Sequence, residues 1–259
     1  MSGHSKWATT KHQKAAADAK RSKIFTKIQK EITVAVKMGD PNPDFNPRLR
    51  NAVILAKSEN MPKDKIESAI KRASTAGEGE NYEEIRYEGY APGSVALIVE
   101  ALTDNKNRTA SNVRSYFTKS GGALGETGSV SYNFDKVGLI GYEGNKISAD
   151  EMFELAIEAG ADNVESTEDW HEITTDPSQF TAVRDAIMVK LGDPDEAKIT
   201  WKPQNTVLVD DLEKAEKLLK LIEKLEDDDD VQQVIGNYEI PDEIMEKIEG
   251  WYVLFFKKN

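Results

Sequence analysis

The side chains best suited to chemistry in this sequence lie at its beginning, and they are cations. Lys6, Lys11, Lys14, Lys20, Arg21, Lys23 and Lys27 follow one another closely, with His4, Trp7 and His12 between them. Ammonium and guanidinium groups at this density neutralise phosphates, and an indole and two imidazoles among them offer faces on which exposed bases stack. Residues 1–77 carry 16 Lys and Arg against 7 Asp and Glu, a formal +9, whereas the remainder carries 18 against 39, a formal −21. A cationic segment on an acidic body holds a polyanion at one end while the rest repels it. The alternative for Lys20, Lys23, Lys27 and Lys30 is an ordinary solvated face. Polyanion binding is the better reading, because the excess is confined to one segment and continues into the aromatic-bearing arm.

Other constellations carry less. Gly121–Gly128 is glycine-rich, but it leaves a predicted helix and enters a predicted strand. A phosphate loop runs the other way, from strand to helix N-terminus, so a helix stop and turn is expected here. Asp227–Asp230 lacks the alternating ligands and turn glycine of a calcium loop and reads as a solvated turn. His171 has no second histidine at ligand spacing and reads as a structural or surface residue. In the loop Thr103–Thr109, Asn107 or Thr109 is the expected helix N-cap. There is no Gly-x-Ser-x-Gly, no His-Glu-x-x-His and no other catalytic constellation, so no cofactor, metal or enzymatic activity is expected.

Bulk composition is that of a soluble globular chain, 39% hydrophobic and 31% charged. No apolar run approaches the ~20 residues of a spanning helix, and the basic N-terminus lacks the apolar core of a secretory signal. With zero cysteines there is no disulfide framework and no thiolate site, which suits a reducing cytoplasm.

Three short amphipathic helices position the basic residues. At 100° per residue from Asp18 to Met38, Ile24, Phe25, Ile28, Ile32, Ala35 and Val36 share one arc and Lys20, Lys23, Lys27, Lys30 and Lys37 the other. Val34 interrupts the basic arc, and Arg21 lies on the apolar side. Asn46-Pro47 starts a second helix as N-cap and first residue. Met61-Pro62 opens a third, lined by Ile66, Ala69, Ile70 and Ala73 and stopped at Gly77. Beyond a linker, strands are expected over 94–102, 128–134, 206–209 and 231–238, with helices over 109–120 and 211–225. This is the β-α-β…β-α-β order of a ferredoxin-like domain. Between its halves, 137–142, 149–159, 170–174, 180–191 and 199–201 alternate as β-α-β-α-β. The expected organisation is α+β multidomain. A basic helical domain spans 1–78, and a discontinuous ferredoxin-like α/β domain spans 79–135 and 206–240. A second α+β domain is inserted at 136–205, and a C-terminal extension covers 241–259, with a short helix and the apolar run Trp251–Phe256 packed on the body.

The motifs point to one family. Gly3-His4-Ser5-Lys6-Trp7, Lys11-His12-Gln13-Lys14 and Asp18–Lys27 resemble the opening signature of the YebC/PmpR family. Asn46–Arg50, Asn60-Met61-Pro62, Tyr87–Gly93, Asp104–Thr109, Gly121–Gly125 and Gly128-Ser129-Val130 are similar to its later blocks. The likeness covers the chain to about Tyr238; the segment after Pro241 is longer than the family leads one to expect. It implies a cytoplasmic three-domain protein, a helical domain and two α/β domains around a cleft, without enzymatic activity. It further implies a DNA-binding regulator of transcription. Related members, including a mitochondrial activator of cytochrome oxidase subunit synthesis, act instead on translation at the ribosome, and some relieve stalling on proline-rich nascent chains. The expected partners are DNA or ribosomal RNA, with the ribosome or the transcription machinery behind them and no membrane. The expected contacts are Lys6, Trp7, Lys11, His12, Lys14, Lys20, Arg21, Lys23 and Lys27. A third reading, a protein-interaction module using an acidic cleft and the apolar tail, requires no nucleic acid at all.

Overall fold

The computed structural model describes residues 17–75 and 81–248, with side chains from Arg21 onward. They form two compact units. One joins 18–75 to 136–202, and the other joins 81–135 to 203–248.

In the first unit, α1 (Ala17–Met38), α2 (Pro47–Ser58) and α3 (Lys63–Thr75) make a small bundle. The apolar arc of α1 is its core: Ile28, Ile32, Ala35 and Val36 are buried against Leu49, Ala52 and Ala56 of α2 and Ile66, Ala69 and Ala73 of α3, with Ile24 and Phe25 half-buried beside them. Asn46 caps α2 by accepting the Leu49 N–H at 3.0 Å, and its amide donates to the carbonyls of Ala35 and Asp40. One side chain thus closes the start of α2 onto the end of α1. Gly39 is required at this junction, because a Cβ there would lie 2.9 Å from the Asn46 amide nitrogen. The expected stop at Gly77 falls outside the described residues.

The same unit contains β4 (Phe134–Glu143), α5 (Ala149–Ala159), β5 (Asn163–Ser166), β6 (Trp170–Thr175), α6 (Phe180–Leu191) and β7 (Glu196–Pro203). Ser148 and Glu151 form a reciprocal capping box on α5, and Gly160 ends it in the left-handed region at φ +90°. The sheet order is β5-β6-β4-β7, with β6 antiparallel to both β4 and β5. Strand β5 is absent from the sequence reading. Its presence makes this segment β-α-β-β-α-β in unbroken chain order, the split-βαβ pattern that the sequence suggested for the other sheet. α2 docks on this layer: Ile54 enters the core formed by Ile140, Met152, Ile173, Phe180 and Ile187. Arg50 pairs with Asp185 at 2.7 Å and Lys57 with Asp193 at 2.7 Å.

In the second unit, β1 (Glu83–Ala91), β2 (Val95–Thr103), β3 (Ala123–Leu124) and β9 (Val231–Gly236) form a sheet of order β3-β1-β2-β9. Helices α4 (Lys106–Lys119) and α7 (Leu212–Glu226) supply Val113, Phe117, Leu218, Leu221 and Leu225 to one core with Leu97, Val99 and Val231. Both β2 and β3 are antiparallel to β1, so β2-α4-β3 is a crossover with β1 between its strands.

The strand between them therefore comes from 83–91, which sequence reading left unassigned, and not from 206–209. The latter contributes only β8 (Val207–Leu208), paired in parallel with β10 (Tyr238–Glu239). The expected strand over 128–134 is also corrected. Ser131–Asn133 is a short 3-10 helix; Val130 and Phe134 are buried while Tyr132 between them is 66% exposed. The cause is Glu88 on β1. Its carboxylate is fully buried and accepts the N–H groups of Val130 at 2.9 Å and Ser131 at 2.8 Å, which takes those donors away from any ladder. Residues 242–248 are helical and seat Ile244 and Ile248 in the same core, whereas Trp251–Phe256 lies outside the described residues.

Candidate nucleic-acid interface

Lys6, Trp7, Lys11, His12 and Lys14, together with His4, fall outside the described residues. Lys20 lies within α1. Lys23 and Lys27 are half-buried, and each is already engaged with a neighbour. Arg21 is exposed, and its guanidinium stands 5.7 Å from the centroid of the Phe25 ring. Its place on the apolar side of α1, anomalous in the sequence, is explained by this arrangement: it caps the open edge of the bundle core, where a planar cation rests well on an aromatic face.

Lys65 of α3 approaches the same ring, with its ammonium 5.5 Å from the centroid. A shallow depression of about 280 Å³ between α1 and α3 is lined by Arg21, Phe25, Thr26 and Lys65. It adjoins a second of about 550 Å³ lined by Lys65, Lys71, Arg72 and Thr75, and Gln29 borders both. Sequence reading did not single out Lys65, Lys71 or Arg72. Residues 65, 68, 72 and 75 recur at i, i+3, i+7 and i+10, so they form one stripe of α3; only the packing of α3 on α1 brings that stripe beside Arg21.

Charge pairing divides the cations of the bundle. Arg48 is held bidentate by Glu31, and Arg50 and Lys57 bind acids of the inserted layer. Arg21, Lys65, Lys71 and Arg72 make no ion pair among the described residues.

The remaining candidates are structural. The turn Asp227–Asp230 is not simply solvated, as the sequence suggested. Asp230 is buried and accepts from Thr109 Oγ1 at 2.9 Å, Thr103 Oγ1 at 3.2 Å and the Arg108 guanidinium at 2.6 Å. Asp228 accepts from Asn112 at 3.0 Å and Tyr116 at 3.1 Å. These carboxylates staple β9 to the loop before α4, and hydrogen bonds to Asp230 and Asp104 raise the Arg108 pKa above its ordinary value. The N-cap of α4 is Asn105, which accepts the Arg108 N–H at 3.0 Å, not Asn107 or Thr109. His171 is buried. Its Nε2 donates to the Ile147 carbonyl at 3.0 Å and its Nδ1 shares a hydrogen bond with the Ser166 hydroxyl at 2.8 Å, so both nitrogens are engaged in structure. Gly121 and Gly128 adopt positive φ after α4, a helix stop and a turn. Among the described residues no group of three or more His, Cys, Asp and Glu is arranged to hold a metal, and no helix is long and apolar enough to cross a membrane.

Residues 5–76 match the TACO1/YebC protein N-terminal domain, and residues 82–238 match the TACO1/YebC second and third domain. The chain belongs to the TACO1/YebC family. It is also similar to a conserved hypothetical protein from Aquifex aeolicus whose crystal structure is known. That similarity is 51% in identity with a TM-score of 0.81, over 92% of this chain and 98% of the other. The family boundary between 76 and 82 coincides with the passage from the helical bundle to β1. Family membership agrees with a regulator of transcription and equally with an activator of translation.

Proposed function

We propose that this chain is a non-catalytic regulator of gene expression that binds nucleic acid through its N-terminal helical domain. The observation that carries the reading is the segregation of charge: a formal +9 in residues 1–77 of a protein whose remainder is −21. The apolar arc of α1 packs into the bundle core through Ile28, Ile32, Ala35 and Val36, which sets its basic arc on a different side of the helix. In this reading Lys6, Lys11, Lys14, Lys20, Arg21, Lys23 and Lys27 neutralise phosphates, and Trp7 and His12 stack on bases. Phosphate contacts position the protein on its target and carry little sequence information.

DNA-bound regulation of transcription is the first form of this function. Association with ribosomal RNA in translation is the second, and one observation favours it. α2 is held on one side by α1 and α3 and on the other by the inserted layer through Asn51, Ile54, Arg50 and Lys57. A helix so enclosed is not presented to a major groove as a recognition helix must be.

The test is the triple reversal Lys20→Glu, Lys23→Glu, Lys27→Glu, assayed by filter binding to duplex DNA and to structured RNA, with circular dichroism as the control for folding. Affinity is expected to fall by on the order of 100-fold. The salt dependence should become shallower by about 0.9 in log–log slope for each duplex phosphate that the variant no longer neutralises. A folded variant with wild-type affinity would remove these residues from the interface.

A further inference from the structure

The geometry points to the groove between α1 and α3 as the seat of an RNA backbone, bound through phosphates and ribose 2′-hydroxyls together. This inference rests on the proposed nucleic-acid function and assigns to it a place outside the N-terminal arm. Three observations carry it.

The first is charge. Arg21, Lys65, Lys71 and Arg72 line two depressions that meet at Gln29 and Lys65, and have no acidic partner among the described residues, whereas Arg48, Arg50 and Lys57 elsewhere on the bundle are all paired. Among the described residues, Asp64 is the one acid lining the groove. The excess is therefore three positive charges along a channel open to solvent, which suits a chain of singly charged phosphates.

The second is preorganisation. Arg21 and Lys65 approach the Phe25 ring at 5.7 and 5.5 Å, so two of the four cations are held over a fixed aromatic instead of ranging through solvent. Restricting them beforehand reduces the ordering cost of binding.

The third selects ribose. The hydroxyl of Thr26 donates to the Ser22 carbonyl at 3.0 Å, and that of Thr75 to the Lys71 carbonyl at 2.9 Å. With their protons turned inward, both present lone pairs to the groove. A phosphate oxygen cannot donate to them; a 2′-hydroxyl can. The Gln29 carboxamide, which borders both halves of the groove, adds a further acceptor. Cations that bind phosphate, in the same groove as acceptors that deoxyribose cannot satisfy, match an RNA strand better than a DNA strand.

The experiment uses the full chain and three 12-nucleotide probes that differ only at the 2′ position: oligouridine, oligodeoxyuridine and 2′-O-methyl oligouridine. Fluorescence anisotropy at fixed salt is expected to give at least threefold tighter binding of the ribo probe than of either analogue. Lys65→Glu/Lys71→Glu/Arg72→Glu should weaken all three by tenfold or more. Glutamine at the same three positions should give the same direction with a smaller effect, should the glutamates perturb the helix. Thr26→Val/Thr75→Val should leave the deoxy probe unchanged and erase the ribo preference. Wild-type binding that is undiminished in both groove variants overturns the groove while leaving nucleic-acid binding intact. Equal wild-type affinity for all three probes overturns the selection of ribose. No binding of any probe by the wild type overturns the functional reading itself.

Discussion

Glu88→Ala is expected to destabilise the β1-β2 unit by about 3–5 kcal/mol, the range for removing one partner of a buried, hydrogen-bonded charge. The fully buried carboxylate accepts from two consecutive backbone N–H groups, Val130 and Ser131, and from the Arg86 guanidinium at 2.8 Å. Alanine leaves the two amides without an acceptor and releases the segment that lies over the sheet. Burial by itself would raise the Glu88 pKa. The N–H groups of Val130, Gly128 and Ser131 and the Ser131 hydroxyl outweigh it and hold the carboxyl below its ordinary value. A depressed folded-state pKa makes this stabilisation complete above the unfolded value of about 4.3 and withdraws it as pH falls through the folded value. Urea denaturation from pH 7 down to pH 3 should show the wild type losing stability below about pH 4. Glu88→Gln should start lower and lose less over the same interval. Parallel pH profiles for the two proteins would contradict this account of Glu88.

Asp230→Ala is the second large effect, expected at about 2–4 kcal/mol. It strips the acceptor from the buried hydroxyls of Thr103 and Thr109 and from Arg108, which is half-exposed and recovers part of its loss in water. Asp230→Asn retains an acceptor oxygen and should lose roughly half as much. Because Leu102 N–H donates to the Asp230 carbonyl at 2.7 Å, the backbone at the β2–β9 junction should remain paired in both variants. Hydrogen exchange is therefore expected to accelerate first in the loop Thr103–Thr109. Uniform acceleration over the whole sheet, or a loss under 1 kcal/mol, would deny the turn its stapling role.

These two carboxylates also show what the sequence leaves illegible. The helical bundle is readable because its apolar residues recur at helical spacing and because Asn46-Pro47 is a strong start signal. The inserted layer is readable from its own apolar periodicity, apart from β5, one exposed and three half-buried residues with little apolar content. Strand β1 is hidden because Glu88, facing inward, and Gly89, packed against the Ala123 carbonyl, break the alternation that marks a strand. The false strand over 128–134 has the complementary origin. Val130, Tyr132 and Phe134 alternate with Ser131 and Asn133 as a strand would, but they lie in a turn hung on a carboxylate some forty residues away. Asp228 and Asp230 look solvated in a run of four acids because their partners lie more than a hundred residues earlier. The basic arm and α1 announce themselves by composition. Lys65, Lys71 and Arg72 do not, because each is an ordinary cation on an exposed helix face until α3 packs beside Arg21. The one signal available beforehand was Arg21 itself, a cation on the apolar arc.

The most direct test of the central claim is ultraviolet crosslinking of the protein in its own cells, followed by digestion and mass spectrometry of the peptides that carry nucleotide adducts. The account predicts adducts concentrated on peptides from residues 1–75. Sequencing of the attached strands then separates promoter DNA from ribosomal RNA. Adducts confined to peptides from 81–248, or no nucleotide adducts at all, would contradict it.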